Sequence, residues 1–221
     1  MMLENYPAKY SDKFGEVQTI IQNDGKELTM IVRGFEFKGN MLDDWEPTDK
    51  GNPELSNLFS IHPFFNQLYQ FQLEFDISVP VIKQGEILQG LLRVRLGMAG
   101  VETVFAGGRE ELTIELHVDK QKFISCGKHG WFENELQEIK NAMPENMYIK
   151  SCFNCAFSDY SPAGFGLFGN LACFRNTKNE YLSLKGKAAY FQLQDQIAEF
   201  VQETYLCPEF EKRIPGTGYR G

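Results

Sequence analysis

The stretch "YQFQLEFDISVPVI", residues 69–82, decides the fold, because apolar and polar side chains alternate along its first half. The apolar members are Phe71, Leu73, Phe75 and Ile77, and the polar members are Gln70, Gln72, Glu74 and Asp76. A period of two places one set on each face of a β-strand, and a half-buried strand is typical of antiparallel sheets.

Neighbouring stretches repeat this pattern. Residues 91–98, "LLRVRLGM", and 111–118, "ELTIELHV", alternate in the same way, and residues 122–127, "KFISCG", follow a turn at Asp119-Lys120. Upstream, residues 27–39 follow a hairpin signal at Asn23-Asp24-Gly25. Residues 102–111 predict a hairpin loop that turns at Gly107-Gly108. No helical pattern separates these strands, which disfavours a parallel sheet with crossover helices.

Two helices are predicted after the strands. Residues 131–143 place Phe132, Leu136, Ile139 and Met143 on one helical face, and Pro144 ends the pattern. A second helix is predicted over residues 195–205, with Asp195 as its N-cap. Residues 180–193 predict a pair of strands around Lys185-Gly186-Lys187.

The chain is predicted to be α+β and mainly β. It should have an antiparallel β-sandwich-like body and a C-terminal cysteine-rich metal module. Residues 1–149 form the β-rich body and residues 150–221 the module packed on it, with residues 144–150 as the boundary; the alternative is a single domain 1–221. Residues 40–68 form a long acidic loop, interpreted as solvated surface, with binding of a partner as the alternative.

Four of the five cysteines carry the main functional signal. Cys152-x2-Cys155 has the spacing of a metal knuckle, and Cys173 and Cys207 would complete a tetrahedral set of thiolates, each about 2.3 Å from zinc. Iron is the alternative metal, and buried thiols without metal are the alternative interpretation. Redox catalysis is disfavoured because a turn, not a helix, follows Cys155.

Two other patterns in this region are interpreted as structural. Residues 164–169, "GFGLFG", match the dinucleotide fingerprint but lack its strand and helix, so they predict a turn that returns Cys173 to the knuckle. Cys126 is interpreted as a strand residue and His129 as a surface residue. The histidines His62, His117 and His129 are scattered and form no recognisable catalytic motif.

Polar residues crowd the cysteine region and leave an enzyme as the second hypothesis. Its pocket would contain Asp159, Tyr160, Arg175 and Glu203. The favoured interpretation places these side chains in turns and around the thiolates.

Composition limits the partners. The net charge is −8, which disfavours nucleic acid and is compatible with a basic protein partner. No run reaches the 18 or so apolar residues that predict a membrane span, and the N-terminus does not resemble a signal peptide. These features predict a cytoplasmic protein, where thiols stay reduced and spaced cysteines favour metal over disulfides.

Four stretches of the last third carry a resemblance: "CFNCAFSDYSPAG" at 152–164, "FGNLACFR" at 168–175, "VQETYLCPEFEKR" at 201–213 and "PGTGYRG" at 215–221. With these motifs the chain resembles an uncharacterised bacterial family, a domain of unknown function. The resemblance covers most of the chain, is sharpest from Cys152 to Gly221 and implies a natural end at Gly221. It implies no activity, so the first hypothesis is a non-enzymatic binding protein with a structural zinc site.

Overall fold

The computed structural model describes residues 3–99, 111–162 and 166–219. The described strands are β1 (Glu4–Asp12), β2 (Gly15–Asn23), β3 (Leu28–Val32), β4 (Phe35–Gly39), β5 (Glu46–Pro47), β6 (Phe71–Lys83), β7 (Glu86–Met98), β8 (Glu111–Val118), β9 (Gln121–Ile124), β10 (Met147–Ile149), β11 (Ser158–Asp159), β12 (Leu171–Cys173) and β13 (Glu199–Val201). The described helices are α1 (Leu55–Leu58), α2 (Phe132–Ala142), α3 (Lys178–Leu182) and α4 (Gly186–Gln192). The predicted turn at Gly107-Gly108 lies outside the described residues.

The first ten described strands form one continuous sheet. Its order is β5-β4-β3-β2-β1-β6-β7-β8-β9, and β10 also pairs with β6. Every pairing is antiparallel. The predicted class, α+β and mainly antiparallel β, is therefore confirmed, and the body consists of a single sheet.

The stretch at 69–82 forms the centre of this sheet. It becomes β6, which pairs along its whole length with β7, from Phe71 opposite Met98 to Lys83 opposite Glu86. Along its other edge, β6 pairs with β1 over its first part and with β10 at its end. The alternation seen in the sequence is the alternation between the buried and the solvent-facing side of the sheet.

The predicted turns connect neighbouring strands. Asp119 and Lys120 have φ angles of 47° and 62°, the left-handed values that a tight two-residue hairpin turn requires. Gly25, with φ of 90°, lies between β2 and β3 as the hairpin signal indicated.

Helix α2 forms where its apolar spacing predicts. Phe132, Leu136 and Ile139 are buried in the main hydrophobic core together with the inner face of the sheet. Met143 follows the last helical residue and is buried as well.

The loop at 40–68 is less solvated than the sequence indicated. It contains β5 and α1, and it buries Leu42, Trp45 and Phe59 in the main core. The Asp44 carboxylate accepts the backbone N–H groups of Asn40 and Met41, so this acid stabilises the loop internally.

Both predictions of secondary structure after residue 178 are wrong. In place of the expected strand pair at 180–193 are α3 and α4 with a short break between them, and Tyr181 and Tyr190 pack from these helices against Phe174. The expected helix at 195–205 is replaced by a 3-10 turn, Gln194–Gln196, followed by β13. Backbone pairing with β12 outweighs the weak helical pattern there.

The last third of the chain joins the main core and also has a smaller one of its own. Strands β11, β12 and β13 form a second, three-stranded sheet. Phe153, Phe168 and Val201 belong to the main core, whereas Phe174, Tyr181 and neighbouring residues form the smaller core. None of the helices within the described ranges has both the length and the apolar character that a membrane crossing needs.

Candidate metal centre

Cys152 and Cys155 lie together on a tight turn. The turn is a 3-10 segment, Cys152–Asn154, and the Cys155 backbone N–H donates to the Cys152 carbonyl oxygen at 3.0 Å. Cys155 also forms an antiparallel bridge with Lys212 from the C-terminal segment. The two-residue spacing therefore places both cysteines on one compact turn.

Cys173 and Cys207 reach this turn from two other elements. Cys173 ends β12, where it pairs with Ser158 of β11. Cys207 lies beyond β13, in a segment joined to the turn by the Cys152 N–H, which donates to the Tyr205 carbonyl at 2.8 Å. All four cysteines are free thiols and only 3% to 7% exposed.

Backbone N–H groups favour the thiolate form at three of the four cysteines. The Glu209 N–H lies 3.3 Å from Cys207 Sγ. The backbone N–H groups of Arg175 and Cys207 lower the pKa of the Cys173 and Cys152 thiols. Such donors favour the thiolate, which is the form that binds metal.

Burial works against the thiolates. It raises the pKa of the Cys152 thiol, and the next causes of that rise are three neighbouring thiols, those of Cys155, Cys207 and Cys173. Burial also raises the pKa of Cys173. The backbone N–H and the positive charge of Arg175 lower this pKa, but burial has the larger effect. These mutual effects show that the four predicted cysteines share one buried neighbourhood.

A tighter cluster lies elsewhere. The ligand atoms of Cys126, His129 and Glu138 all lie within 4.8 Å of one another. None of the four predicted cysteines belongs to a group this tight within the described ranges. The sequence offered a signal for this cluster. Cys126 and His129 have a Cys-x2-His spacing, and the predicted helix that follows them contains Glu138.

The interpretation of Cys126 as a strand residue is wrong. Strand β9 ends at Ile124, and Cys126 is an exposed residue in the loop before α2. His129 is at the surface, as expected, with its side chain 39% exposed, but its Nε2 lies 2.8 Å from Glu138 Oε1.

Three of the four residues of the hypothetical enzyme pocket are internal. Asp159 and Glu203 are 0% exposed and Tyr160 is 4% exposed. The Tyr160 hydroxyl donates to the Glu203 carboxylate at 3.0 Å, and the Tyr181 hydroxyl donates to the Asp159 carboxylate at 2.6 Å. These contacts give the side chains a role in holding the C-terminal part together.

Arg175 is only partly buried. Its guanidinium pairs with Glu199 at 2.5 Å. A cavity of about 730 Å³ lies between the end of α2 and the C-terminal segment, and none of the four pocket residues lines it. Its walls include Met143, Tyr148 and Arg213.

The described part of the glycine motif supports the interpretation as a turn. Gly169 has a φ of 93°, and its N–H donates to the Glu203 carboxylate at 2.8 Å. Strand β12, not a helix, follows it. Gly164 and Phe165 lie outside the described residues.

Fold and cysteines together define a mainly antiparallel β protein with a cluster of buried thiols beside its smaller sheet. The chain belongs to a family of unknown function, DUF6304, whose model matches residues 4–158. The match covers the large sheet, α2 and the Cys152–Cys155 turn, and it ends before Cys173 and Cys207. No curated protein and no solved structure matches the chain.

Proposed function

We propose that the chain is a cytoplasmic, non-enzymatic binding protein whose C-terminal part is held by a structural zinc ion on Cys152, Cys155, Cys173 and Cys207. The observation that carries the zinc site is the burial of four free thiols on three joined segments, where backbone N–H groups favour the thiolate at three of them. A neutral thiol that only fills space gains little from such donors, whereas a zinc-bound thiolate is stabilised by them.

The donor set fits zinc. Four thiolates form a closed tetrahedral shell, which is the usual structural site, and the four cysteines come from three segments that zinc would join. A tetrahedral ion needs sulfurs about 3.5–4 Å apart, so metal binding would draw the thiols closer together. Iron is compatible with the same ligands, and elemental analysis separates the two metals.

The zinc site is tested with the full chain, purified without an affinity tag under reducing conditions. Wild type should contain zinc, and Cys155→Ser should lose one equivalent. Hydrogen exchange should then become faster within residues 150–219 and stay slow in the large sheet, because Cys155 packs in the smaller core. Ala156→Ser is the matched control, since it adds a hydroxyl at the neighbouring buried position and removes no thiol.

The result against the zinc site is equally definite. If wild type and Cys155→Ser contain the same amount of metal and exchange alike, the four cysteines are buried thiols and nothing more.

The charge distribution supports binding of a basic protein. Residues 1–149 contain 14 Lys and Arg against 23 Asp and Glu, a net charge of −9, whereas residues 150–221 contain 8 against 7, a net charge of +1. The excess negative charge thus lies on the part that contains the large sheet. A basic partner would be drawn there by long-range attraction that salt weakens.

This role is tested by cross-linking and capture of partners from the native host at low and high salt. We expect a basic protein whose capture falls with salt and falls further with Asp49→Lys and Glu54→Lys, two exposed acids of the 40–68 loop. Glu180→Lys, an exposed acid in the C-terminal part, is the control. If the amount of captured partner changes neither with salt nor with Asp49→Lys and Glu54→Lys, electrostatic binding through the 40–68 loop is excluded.

A further inference from the structure

A loop between β9 and α2 brings a thiol, an imidazole and a carboxylate to one point on the surface. Glu138 Oε1 lies 3.0 Å from Cys126 Sγ and 2.8 Å from His129 Nε2. The other carboxylate oxygen, Oε2, accepts the Cys126 backbone N–H at 2.5 Å. One oxygen is therefore held by the backbone while the other faces the sulfur and the ring nitrogen.

A fourth side chain, Glu135, also holds the surrounding loop in place. Glu135, which is 0% exposed, accepts the backbone N–H groups of Gly127 at 3.0 Å and His129 at 2.9 Å. Gly127 and Gly130 have φ angles of 68° and 69°, which side chains other than glycine rarely adopt.

We propose that Cys126, His129 and Glu138 form a second cation site, which binds Zn²⁺ and leaves a coordination position open to solvent. One sulfur, one nitrogen and one oxygen ligand suit zinc and exclude the hard cations Mg²⁺ and Ca²⁺, which take oxygen ligands. Three protein ligands at an exposed position differ from the closed four-ligand shell of a structural site. On binding, the Cys126 thiol proton passes to solvent and the thiolate, Nε2 and Oε1 contact the ion.

The competing explanation is a hydrogen-bond network that joins the loop to α2. Cys126→Ser distinguishes the two explanations. A serine hydroxyl still donates to Glu138 and would keep a hydrogen-bond network, but it is a poor zinc ligand and would weaken a zinc site. Glu138→Gln also distinguishes the two explanations. Its amide oxygen still accepts the Cys126 N–H, so the loop stays joined to α2, but the side chain no longer carries the negative charge that binds the cation. Lys128→Ala is the control, since it changes the same loop and leaves all three ligands.

The experiment is a titration of the chelator-treated full chain with Zn²⁺ alone, followed by a Co²⁺ titration monitored by absorption. Wild type should take up one equivalent beyond the structural one. Cys126→Ser and Glu138→Gln should each lower the affinity for this second zinc ion more than about 100-fold. Loss of a residue that only contacts a ligand already lowers metal affinity about 10- to 100-fold, and these two substitutions change the ligands themselves. Cys126→Ser should also lose the sulfur-to-cobalt absorption of this site.

The two zinc proposals fail independently. If Cys126→Ser, Glu138→Gln and wild type bind the same equivalents with the same affinity, the second site does not exist and the hydrogen-bond network stands. If Cys155→Ser leaves the zinc content unchanged while Cys126→Ser removes an equivalent, the four-cysteine site fails and the second site remains.

Discussion

At the scale of single residues, buried carboxylates connect the segments of the C-terminal part. Glu203 accepts the Tyr160 hydroxyl and the Gly169 N–H, so it ties the end of β11 to the glycine turn. A buried carboxylate needs such donors because loss of its hydration is otherwise costly. The Tyr160 and Gly169 donors therefore allow Glu203 to be internal.

Tyr160→Phe tests this connection. Removing the hydroxyl takes a donor from a fully buried carboxyl group, so we expect the free energy of unfolding to fall by about 1–3 kcal/mol, measured by urea denaturation. Tyr69→Phe is the control, since Tyr69 is half-buried and its hydroxyl makes no hydrogen bond to the described residues. Equal effects of the two substitutions would contradict the role of Glu203.

Glu115 is a second carboxylate held by its partners, on the outer face of the large sheet. Burial alone would raise its pKa, but hydrogen bonds from Lys122, Arg95 and His117 lower it to about 2. The side chain is 7% exposed, whereas Arg95 and Lys122 are 43% and 45% exposed, so solvent screens their attraction.

Glu115→Gln should therefore lower stability in a pH-dependent way. The folded pKa is below the ordinary value of 4.5, so the ionised carboxylate stabilises the fold above pH 4.5 and loses this effect as the pH falls towards 2. We expect Glu115→Gln to cost about 1 kcal/mol at pH 7 and progressively less below pH 4.5, measured by denaturation across this range. Glu74→Gln, which removes a more exposed partner of Arg95, should cost less. A loss that is constant with pH would refute the assignment.

At the scale of elements, α2 is held by its apolar face. Leu136 is 1% exposed and lies in the main core, while Gln137 beside it is half-buried and polar. The helix also carries Glu135 and Glu138, which hold the loop before it. Packing of α2 therefore positions the Cys126 loop.

Leu136→Ala should lower the free energy of unfolding by about 2–5 kcal/mol, because it removes buried methyl groups and leaves a cavity. Gln137→Ala should change it by less than about 0.5 kcal/mol. Thermal or urea denaturation of both variants checks this. A small effect of Leu136→Ala would mean that α2 is not part of the main core.

At the scale of the whole molecule, the main core extends past residue 149. Residues from the last third that pack in it are Cys152, Phe153, Tyr160, Leu167, Phe168, Leu171, Cys173, Val201 and Cys207. The inner face of the large sheet is therefore partly covered by the last third of the chain.

A chain ending at residue 149 should consequently lose cooperative unfolding and expose apolar surface, seen by calorimetry and near-ultraviolet circular dichroism. A chain ending at residue 213 keeps every member of the main core and should unfold cooperatively. Cooperative unfolding of the shorter chain would show that the β body folds independently.

The sequence by itself determined the elements whose residues repeat with a clear period or turn signal. The alternation at 71–77 predicted β6, the apolar spacing at 132–143 predicted α2, and Asp119-Lys120 predicted a hairpin turn. These patterns are local, since a period of two or 3.6 fixes which side of an element is buried wherever the element lies.

Tertiary structure alone decided the segments without such a pattern. Residues 199–201 form a strand because β12 offers them hydrogen-bond partners, and no sequence period records a neighbour that far along the chain. The burial of Asp159 and Glu203 depends in the same way on distant donors. The cluster of Cys126, His129 and Glu138 arises only when α2 packs on the sheet, because the loop glycines and the helix face must meet in space before the three side chains can converge.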